Sequence, residues 1–314
     1  MASARGRHGA PERLELAGQG IAPATVGTRD RLAFVRLTGD VDVYRVEPGG
    51  PARPLAQSTL LERQPSYSPD GGCIAFQAAG PRGQDIWLSD ADGSNHTRPT
   101  RGVGSLPGSP SWSPDGRWVA FDSRGDDAQR DVWTVGADGS GLRRMTVSAA
   151  NDFVPSWSRD GRFIYFASDR TGRAEVYRVP AGGGPEEQLT RGGGIYPVES
   201  FDGRTLYYQR NVDGALLAQP SAGGDERELR ACVKSMSWNA APHGLVYQDC
   251  GAAGTEDQPG QRLRSWNARN GLDTPLVTAD ADGIQGLSVS PDGRSIAYGR
   301  LREISNLMMI ENFR

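Results

Sequence analysis

The stretch "PSWSPDGRWVAF" (residues 110–121) decides the fold, because it has the pattern of a strand, a tight turn and a second strand. At its centre, the proline of Ser-Pro-Asp-Gly presets φ for the turn, the aspartate can bond to its own backbone, and the glycine accepts a positive φ. The aromatic and β-branched residues on both sides favour strands. We therefore interpret residues 110–121 as a β-hairpin.

The same hairpin pattern recurs along almost the whole chain, at starts that are 39 to 51 residues apart. The copies are "PATVGTRDRLAF" (23–34), "PSYSPDGGCIAF" (65–76), "PSWSPDGRWVAF" (110–121), "PSWSRDGRFIYF" (155–166), "PVESFDGRTLYY" (197–208), "MSWNAAPHGLVY" (236–247) and "LSVSPDGRSIAY" (287–298). A fixed period of this length is the signature of a repeat architecture, so the number of copies predicts the number of structural units.

Each copy continues with a third β-rich run, such as "DVWTV" (131–135), and most add a short fourth one, such as "RRMTV" (143–147). Four short strands joined by turns form an antiparallel sheet, and such sheets repeated around an axis form a β-propeller. The sequence predicts an all-β, seven-bladed β-propeller with four-stranded antiparallel blades. The predicted repeats begin near residues 21, 63, 108, 153, 195, 234 and 285.

The two ends of the chain predict how the ring closes. The last copy has only three strands, and an orphan strand "ERLELAG" (12–18) precedes the first copy. If residues 12–18 supply the outer strand of the last blade, no sheet edge stays open. We therefore predict one propeller domain over residues 12–314, closed by residues 12–18, and a flexible N-terminus at residues 1–11.

Composition narrows the function classes. The net charge of the 314 residues is −3, so electrostatics do not favour nucleic acid as a partner of this domain. No apolar run is long enough to insert in a membrane, and no secretory signal opens the chain. We expect a cytoplasmic protein if the chain is complete, a periplasmic one if it is a fragment of an exported or membrane-anchored protein, and a monomer in either case.

The three cysteines are too few for a disulfide framework. Cys232 and Cys250 flank a predicted hairpin, which would allow them to pair, but we expect separate small buried thiols.

Nucleophilic catalysis is not expected. No G-x-S-x-G motif is present, and the three histidines fall in unrelated repeats. We therefore assign no catalytic residues.

The segments "PSWSPDGRWVAF…DVWTVGADGSGLRRMT" and "PSWSRDGRFIYFASDRTGRAEVYRV" resemble the repeats of TolB-like propellers, and the resemblance covers about residues 12–314. It implies a propeller fold, and it leaves six blades as the alternative because the family's namesake has six. Such repeats occur in periplasmic scaffold proteins, oligopeptidase propeller domains and bacterial sensory proteins. The tail "SNLMMIENFR" (305–314) is similar to the ends of propellers fused behind a winged-helix domain in bacterial regulators.

Candidate binding residues come from the loops expected at one end of the channel, where the chain enters each innermost strand. They are Glu62, Arg63, Asn151, Asp152, Tyr196, Lys234 and Gln285. We add Glu199, because it occupies the position that holds Trp112 or Trp157 in other repeats. A buried carboxylate needs water, a cation or an arginine partner. It could line a polar pocket with Asp152 or Asn151, or it could be solvated or paired with Arg191 or Arg210.

A metal site is the second hypothesis for the same residues. The segments "SDADGSN" (89–95) and "TADADGI" (278–284) contain half of a calcium-loop pattern, although ordinary Asp-Gly turns are the favoured explanation for both. Candidate ligands for Ca²⁺ are Glu199, Asp152, Asp280 and Asp282, and no other cofactor is expected.

Together these patterns predict a non-catalytic module that binds or senses a protein, a peptide or a small polar ligand through its loop rim and central channel. The alternative is a metal-dependent, lactonase-like hydrolase with a Ca²⁺-type metal in the channel.

Overall fold

The computed structural model describes residues 21–27, 31–80, 83–101, 105–125, 129–250, 263–276 and 283–310. The chain divides into two units, one formed by Met1–Asp40 with Glu303–Arg314 and the other by Val41–Arg302. The strands are β1 (Ile21–Gly27), β2 (Arg31–Val46), β3 (Arg53–Ala56), β4 (Leu61–Tyr67), β5 (Cys73–Gly80), β6 (Gly83–Asp90), β7 (Ser105–Trp112), β8 (Trp118–Arg124), β9 (Arg130–Gly136), β10 (Arg143–Arg144), β11 (Asp152–Trp157), β12 (Phe163–Ser168), β13 (Glu175–Pro180), β14 (Glu187–Gln188), β15 (Ile195–Glu199), β16 (Thr205–Gln209), β17 (Leu216–Pro220), β18 (Arg227–Arg230), β19 (Val233–Ala241), β20 (Gly244–Asp249), β21 (Leu263–Asn267), β22 (Asp273–Pro275), β23 (Ile284–Val289) and β24 (Ile296–Ile310).

The unit Val41–Arg302 is a propeller of six antiparallel blades. Blade 1 contains β4, β5 and β6, and a bridge between Leu88 and Thr97 takes the place of its fourth strand. Blades 2 to 5 are regular four-stranded sheets, which contain β7–β10, β11–β14, β15–β18 and β19–β22. In each of these blades the strands follow chain order from the channel outward, because tight turns join neighbouring antiparallel strands.

Blade 6 joins the two ends of the propeller unit. β23 and β24 supply its inner strands, and β2 followed by β3 supply its outer strands. Tyr44 and Val46 from β2 pack in one hydrophobic cluster with Leu287 and Tyr298. The ring is therefore closed by two strands from the N-terminal side of the unit, which covers the edge that β24 would otherwise expose.

The predicted count of seven blades is wrong, and the alternative of six is correct. The first hairpin copy (23–34) does not begin a separate blade, because β2 runs without a turn through Arg31–Val46 into blade 6. Its continuation Arg53–Ala56 pairs with β2 as the outermost strand of that blade. Residues 12–18, predicted to fill this place, lie outside the described residues, as does the predicted flexible segment 1–11.

The other unit contains β1, the beginning of β2 and the end of β24. β1 pairs antiparallel with β2 from Gly27↔Arg31 to Ile21↔Arg36, with a β-bulge between Ala22 and Thr25. The first hairpin copy therefore does form a hairpin, as its turn residues predict. The part of the chain that the structure describes contains no helix that is long and apolar enough to cross a bilayer.

The expectation of separate thiols is wrong for one pair of cysteines. Cys232 and Cys250 form a disulfide, with their Cα atoms 5.7 Å apart. The bond joins the residue before β19 to the residue after β20, and the strand pairing of Val233 with Asp249 brings these positions together. Cys73 is a free, half-buried thiol.

Candidate functional site

A central cavity of about 380 Å³ lies among the innermost strands of the six blades. Its floor is a ring of residues that occupy the same place in each blade and have positive φ, namely Gln64, Ser109, Val154, Tyr196, Met236 and Gly286. Each lies at a register shift in the pairing of its innermost strand with the next strand, which marks a β-bulge. The bulges re-aim the backbone at one level of the channel and so set the depth of the cavity.

The floor is crossed by the side chain of Gln64. Its Oε1 accepts a hydrogen bond from the main-chain N–H of Ser109 at 3.0 Å, and its Nε2 lies 3.4 Å from the sulfur of Met236. Gln64 therefore links blade 1 to blades 2 and 5. Gly286 completes the ring where a side chain would not fit, because a Cβ at this position would come within 2.4 Å of the Cα of Gln64.

The wall of the cavity is formed three residues after each floor residue. The side chains at this level are Tyr67, Trp112, Trp157, Glu199, Asn239 and Val289. Sequence alignment suggests Trp238 as the counterpart of Trp112, and its packing agrees, because Trp238 lies in one cluster with Tyr207 of the preceding blade. The side-chain amide of Asn239 instead donates to the main-chain oxygen of Leu287 in the following blade at 2.9 Å. Trp238 lies one residue earlier, is buried, and donates its indole N–H to Gln209 at 3.0 Å.

At four blade junctions the size of the wall residue is matched to a residue on the neighbouring blade. Where that neighbour is alanine, the wall residue is a large aromatic. Trp112 packs in one cluster with Ala75, Trp157 with Ala120, and Tyr67 with Ala297. At the junction between blades 3 and 4 the alanine is replaced by Tyr165, whose hydroxyl donates a hydrogen bond to the smaller wall residue Glu199. Close packing of protein interiors explains this exchange of volume between the blades.

The presence of an acid at position 199 is therefore explained by Tyr165 in blade 3. It is only 5% exposed, and the hydroxyl of Tyr165 donates a hydrogen bond to its Oε1 at 2.8 Å. Its Oε2 accepts the main-chain N–H of Arg159 at 2.5 Å. Arg159 stands where the turns of blades 1 and 2 have Pro69 and Pro114, which have no N–H to donate. Burial raises the pKa of the Glu199 carboxyl, although both donors act in the opposite direction.

The cavity opens at the end of the channel where the turns join the first and second strands of the blades. The residues at this mouth include Pro69, Arg159, Phe201 and Pro291. The guanidinium of Arg159 lies over the Phe201 ring at 4.1 Å from its centroid, and Arg159 is exposed. Arg159 and Glu199 are the two charged residues among those that line the cavity.

The structure brings only two of the eight predicted binding residues into this cavity. Tyr196 is part of the floor and Glu199 is part of the wall. The other six precede the floor ring along their strands and lie toward the opposite end of the channel; they are Glu62, Arg63, Asn151, Asp152, Lys234 and Gln285. The prediction started from the loops that enter the innermost strands, whereas the described cavity opens at the turns that leave them.

Several residues of this second group are engaged by their neighbours. Asp152 pairs with Arg170 at 3.0 Å, and Lys234 pairs with Asp213 at 3.2 Å. The side-chain amide of Asn151 donates to Asp169 at 2.8 Å, and Glu62 accepts a hydrogen bond from Ser58. The contacts of Asp152, Asn151 and Lys234 join the segments that enter the innermost strands to the loops beside them, whereas the Ser58–Glu62 contact lies within one segment.

The candidate metal ligands are not grouped in the described part of the chain. Glu199 follows the floor ring and Asp152 precedes it, so the two carboxylates belong to opposite ends of the innermost strands. Within the described ranges no group of three His, Cys, Asp or Glu residues is arranged to hold a metal ion. Asp280 and Asp282 lie outside these ranges. The alternative of an arginine partner for Glu199 is not what the described residues show, since its oxygens bond to Tyr165 and to the main chain of Arg159, and Arg210 pairs with Glu226 at 3.2 Å.

Sequence reasoning missed Arg159 and Phe201 as residues of the cavity mouth. A signal for both was present, because "SRDG" and "SFDG" replace "SPDG" in two consecutive repeats. It also missed a pair of linked changes in neighbouring repeats. Tyr165 stands where the preceding repeat has Ala120, and Glu199, in the next repeat, stands where its predecessor has Trp157. The two changes are visible only when the second strand of one repeat is compared with the first strand of the next.

Comparisons with known proteins agree with this architecture. The family model described as TolB beta propeller domain matches residues 65–252. The crystal structure of TolB from Acinetobacter baumannii is similar at 19% identity with a TM-score of 0.57, over 87% of this chain and 65% of that chain. The chain thus spans just under two thirds of that protein. A structure of a nidogen/laminin complex is similar at 10% identity with a TM-score of 0.59, over 76% of this chain and 94% of that chain. No curated protein matches the sequence.

Proposed function

Because this chain belongs to the TolB β-propeller domain family, we propose that it is a non-catalytic module that holds an extended segment of a partner protein in its central cavity. Membership of this family supports a protein-interaction module in general terms, and the cavity supports the specific form of the proposal. A floor crossed by the Gln64 side chain, a mouth at the turn end and a volume of about 380 Å³ suit a short chain segment entering from the mouth.

The cavity wall contains both polar and apolar groups, which suits a peptide better than a purely apolar ligand. Ser66, Ser111, Ser156 and Ser288 each precede a wall residue. Ser111 and Ser288 accept a main-chain N–H of the next blade and retain their own O–H donor, and Ser156 donates to Pro197 and retains its acceptor capacity. Backbone groups of an extended peptide need hydrogen-bond partners when they are buried, and its apolar side chains need contact surface. The mixed wall offers both kinds of contact.

The arrangement of Glu199 and Asp152 does not favour the hydrolase alternative. Both oxygens of Glu199 accept hydrogen bonds, one from Tyr165 and one from the main chain of Arg159. Asp152, the other described carboxylate of the metal hypothesis, lies toward the opposite end of the channel. Glu199 therefore supports the wall of a binding cavity.

We further propose that the protein works in an oxidising compartment, as expected for an exported protein. Disulfides form and persist outside the reducing cytosol, and Cys232–Cys250 is such a bond. Trapping of free thiols with a maleimide reagent in intact cells tests this proposal. Only Cys73 should react before reduction, and labelling of all three cysteines would overturn it.

Selection of peptides from a random library displayed on phage, with the full chain immobilised, tests the binding function. Ser66→Trp fills the cavity and should abolish binding of the selected peptides. Val212→Trp is the matched control, because Val212 is 70% exposed in the turn between β16 and β17, at the opposite end of the channel. Peptides that bind Ser66→Trp as well as the wild type, or a library from which nothing is selected, would overturn the proposed function.

A further inference from the structure

The mouth of the central cavity adjoins a second cavity between blades 3 and 4. This crevice has a volume of about 660 Å³. It shares Arg159, Glu199 and Phe201 with the central cavity, and these three residues separate the two spaces. A chain segment that leaves the central cavity through this junction therefore passes directly over Arg159.

Within the junction, Arg159 and not Glu199 has hydrogen-bonding groups left for a ligand. The Glu199 carboxylate is buried, and hydrogen-bond donors occupy both of its oxygens. Among the described residues, no carboxylate forms an ion pair with the Arg159 guanidinium, and no side-chain hydrogen bond engages it. The arginines farther along the crevice differ, since Arg162 pairs with Asp160 and Arg178 with Glu187.

The position of the guanidinium suits a carboxylate ligand. It lies over the Phe201 ring, and an arginine held in this way keeps its in-plane N–H groups available. A planar guanidinium and a carboxylate match each other in a bidentate, charge-assisted pair. The exposure of Arg159 at the mouth allows a ligand to reach these N–H groups from the cavity side.

We propose that Arg159, supported on Phe201, selects partner segments that carry an aspartate or glutamate side chain where the segment leaves the central cavity for the crevice between blades 3 and 4. The partner is thus an extended, acidic segment of another protein. This inference rests on the proposed function, because it names the chemistry of the segment that the cavity holds.

The test uses the peptides selected from the random phage library on the full chain, as fluorescent synthetic copies. We expect enrichment of Asp or Glu at one fixed position of the selected sequences. Arg159→Gln keeps the main-chain donor to Glu199 and removes the charge, so it should weaken binding of these peptides roughly tenfold or more. Replacing the enriched acid by its amide should weaken binding to the wild type equally and have no further effect on the variant.

The matched control is Arg117→Gln, because Arg117 is exposed on the equivalent turn of blade 2, pairs with Asp115 and does not line the cavity. It should leave peptide binding unchanged. Selected peptides that lack an enriched acid but fail to bind Ser66→Trp would overturn this inference while the proposed function stands. Acidic peptides that bind wild type and Arg159→Gln equally would also overturn it.

Acetate and inorganic phosphate provide the last arm of the test. If either anion at millimolar concentration raises the melting temperature of the wild type but not of Arg159→Gln, and no peptide is selected, the site binds a free anion. That result would overturn the assignment to a protein segment together with the proposed function.

Discussion

Two neighbouring blade junctions solve the same packing problem with different chemistry. Between blades 2 and 3, Trp157 packs in one cluster with Ala120. Between blades 3 and 4, the smaller Glu199 meets the larger Tyr165 and binds its hydroxyl. The first junction is filled by apolar volume, and the second by a hydrogen-bonded acid. The comparison teaches that an unusual residue in a repeat is to be interpreted with its partner on the adjacent repeat before a ligand is assigned to it.

The largest effect is expected from exchanging one junction type for the other. Tyr165→Ala deletes a buried ring, and Glu199→Trp forces an indole against Tyr165, so each should lower the free energy of unfolding by about 3 kcal/mol. The double variant recreates the Ala–Trp pair and should lose about 1–3 kcal/mol less than the sum of the single losses. Urea unfolding of the four proteins measures this coupling. Strictly additive losses would contradict the volume match between the blades.

The reverse exchange is the matched control at the other junction. Ala120→Tyr combined with Trp157→Glu places a Tyr–Glu pair between blades 2 and 3. Coupling of the same sign is expected there, although Pro114 provides no main-chain donor for the new carboxylate.

Alanine variants compare the apolar packing of Trp157 with the hydrogen bonding of Glu199 as sources of stability. Trp157→Ala removes a large half-buried ring and should lower the free energy of unfolding by about 3 kcal/mol. Glu199→Ala leaves the Tyr165 hydroxyl and the Arg159 N–H without their acceptor, which should cost about 1–3 kcal/mol. Both values come from urea unfolding. A larger loss for Glu199→Ala than for Trp157→Ala would reverse the expected order.

The main chain and the side chain of Arg159 should contribute differently to stability. Arg159→Pro removes the N–H that Glu199 accepts and should lower the free energy of unfolding by about 1–2 kcal/mol. Arg159→Gln retains this donor and loses only an exposed cation–π contact, which contributes at most about 1 kcal/mol. Equal losses of unfolding free energy in the two variants would show that the main-chain hydrogen bond from Arg159 to Glu199 does not contribute to stability.

The smallest effect concerns the pH dependence of the acid junction. Burial raises the pKa of Glu199 above its ordinary value of 4.5, so the folded protein retains this proton to a higher pH than the unfolded chain does. The contribution of Glu199 to stability is therefore greatest below the unfolded pKa, and it decreases as the pH rises through the folded pKa. Relative to Glu199→Gln, the wild type should lose stability as the pH rises above 4.5. Parallel stability curves for the two proteins would contradict this.

The repeat period and turn residues were sufficient to predict the fold class, because each hairpin is specified by residues close in sequence. The number of blades was not predicted correctly, since a hairpin copy does not reveal which sheet it joins. β2 has the residues of a second strand at its beginning and of a third strand at its end. Its assignment to blade 6 depends on pairing with β24, more than 200 residues away.

The candidate site was predicted in part. Tyr196 and Glu199 were identified, but the other predicted residues belong to the opposite end of the channel. Positive φ at Gln64, Ser109 and their counterparts sets the floor, and nothing in the local sequence indicates it, because Gln, Ser, Val, Tyr and Met occupy these positions. Only the crowding of six innermost strands around one axis requires a bulge at the same level in every blade.

The sequence by itself therefore determined the hairpins, their repetition and the all-β propeller, through turn chemistry and β-propensity that act over a few residues. The tertiary structure alone decided the six-blade closure, the Cys232–Cys250 bond and the end at which the cavity opens. These features depend on contacts between segments far apart in sequence, where close packing selects partners that no single repeat encodes.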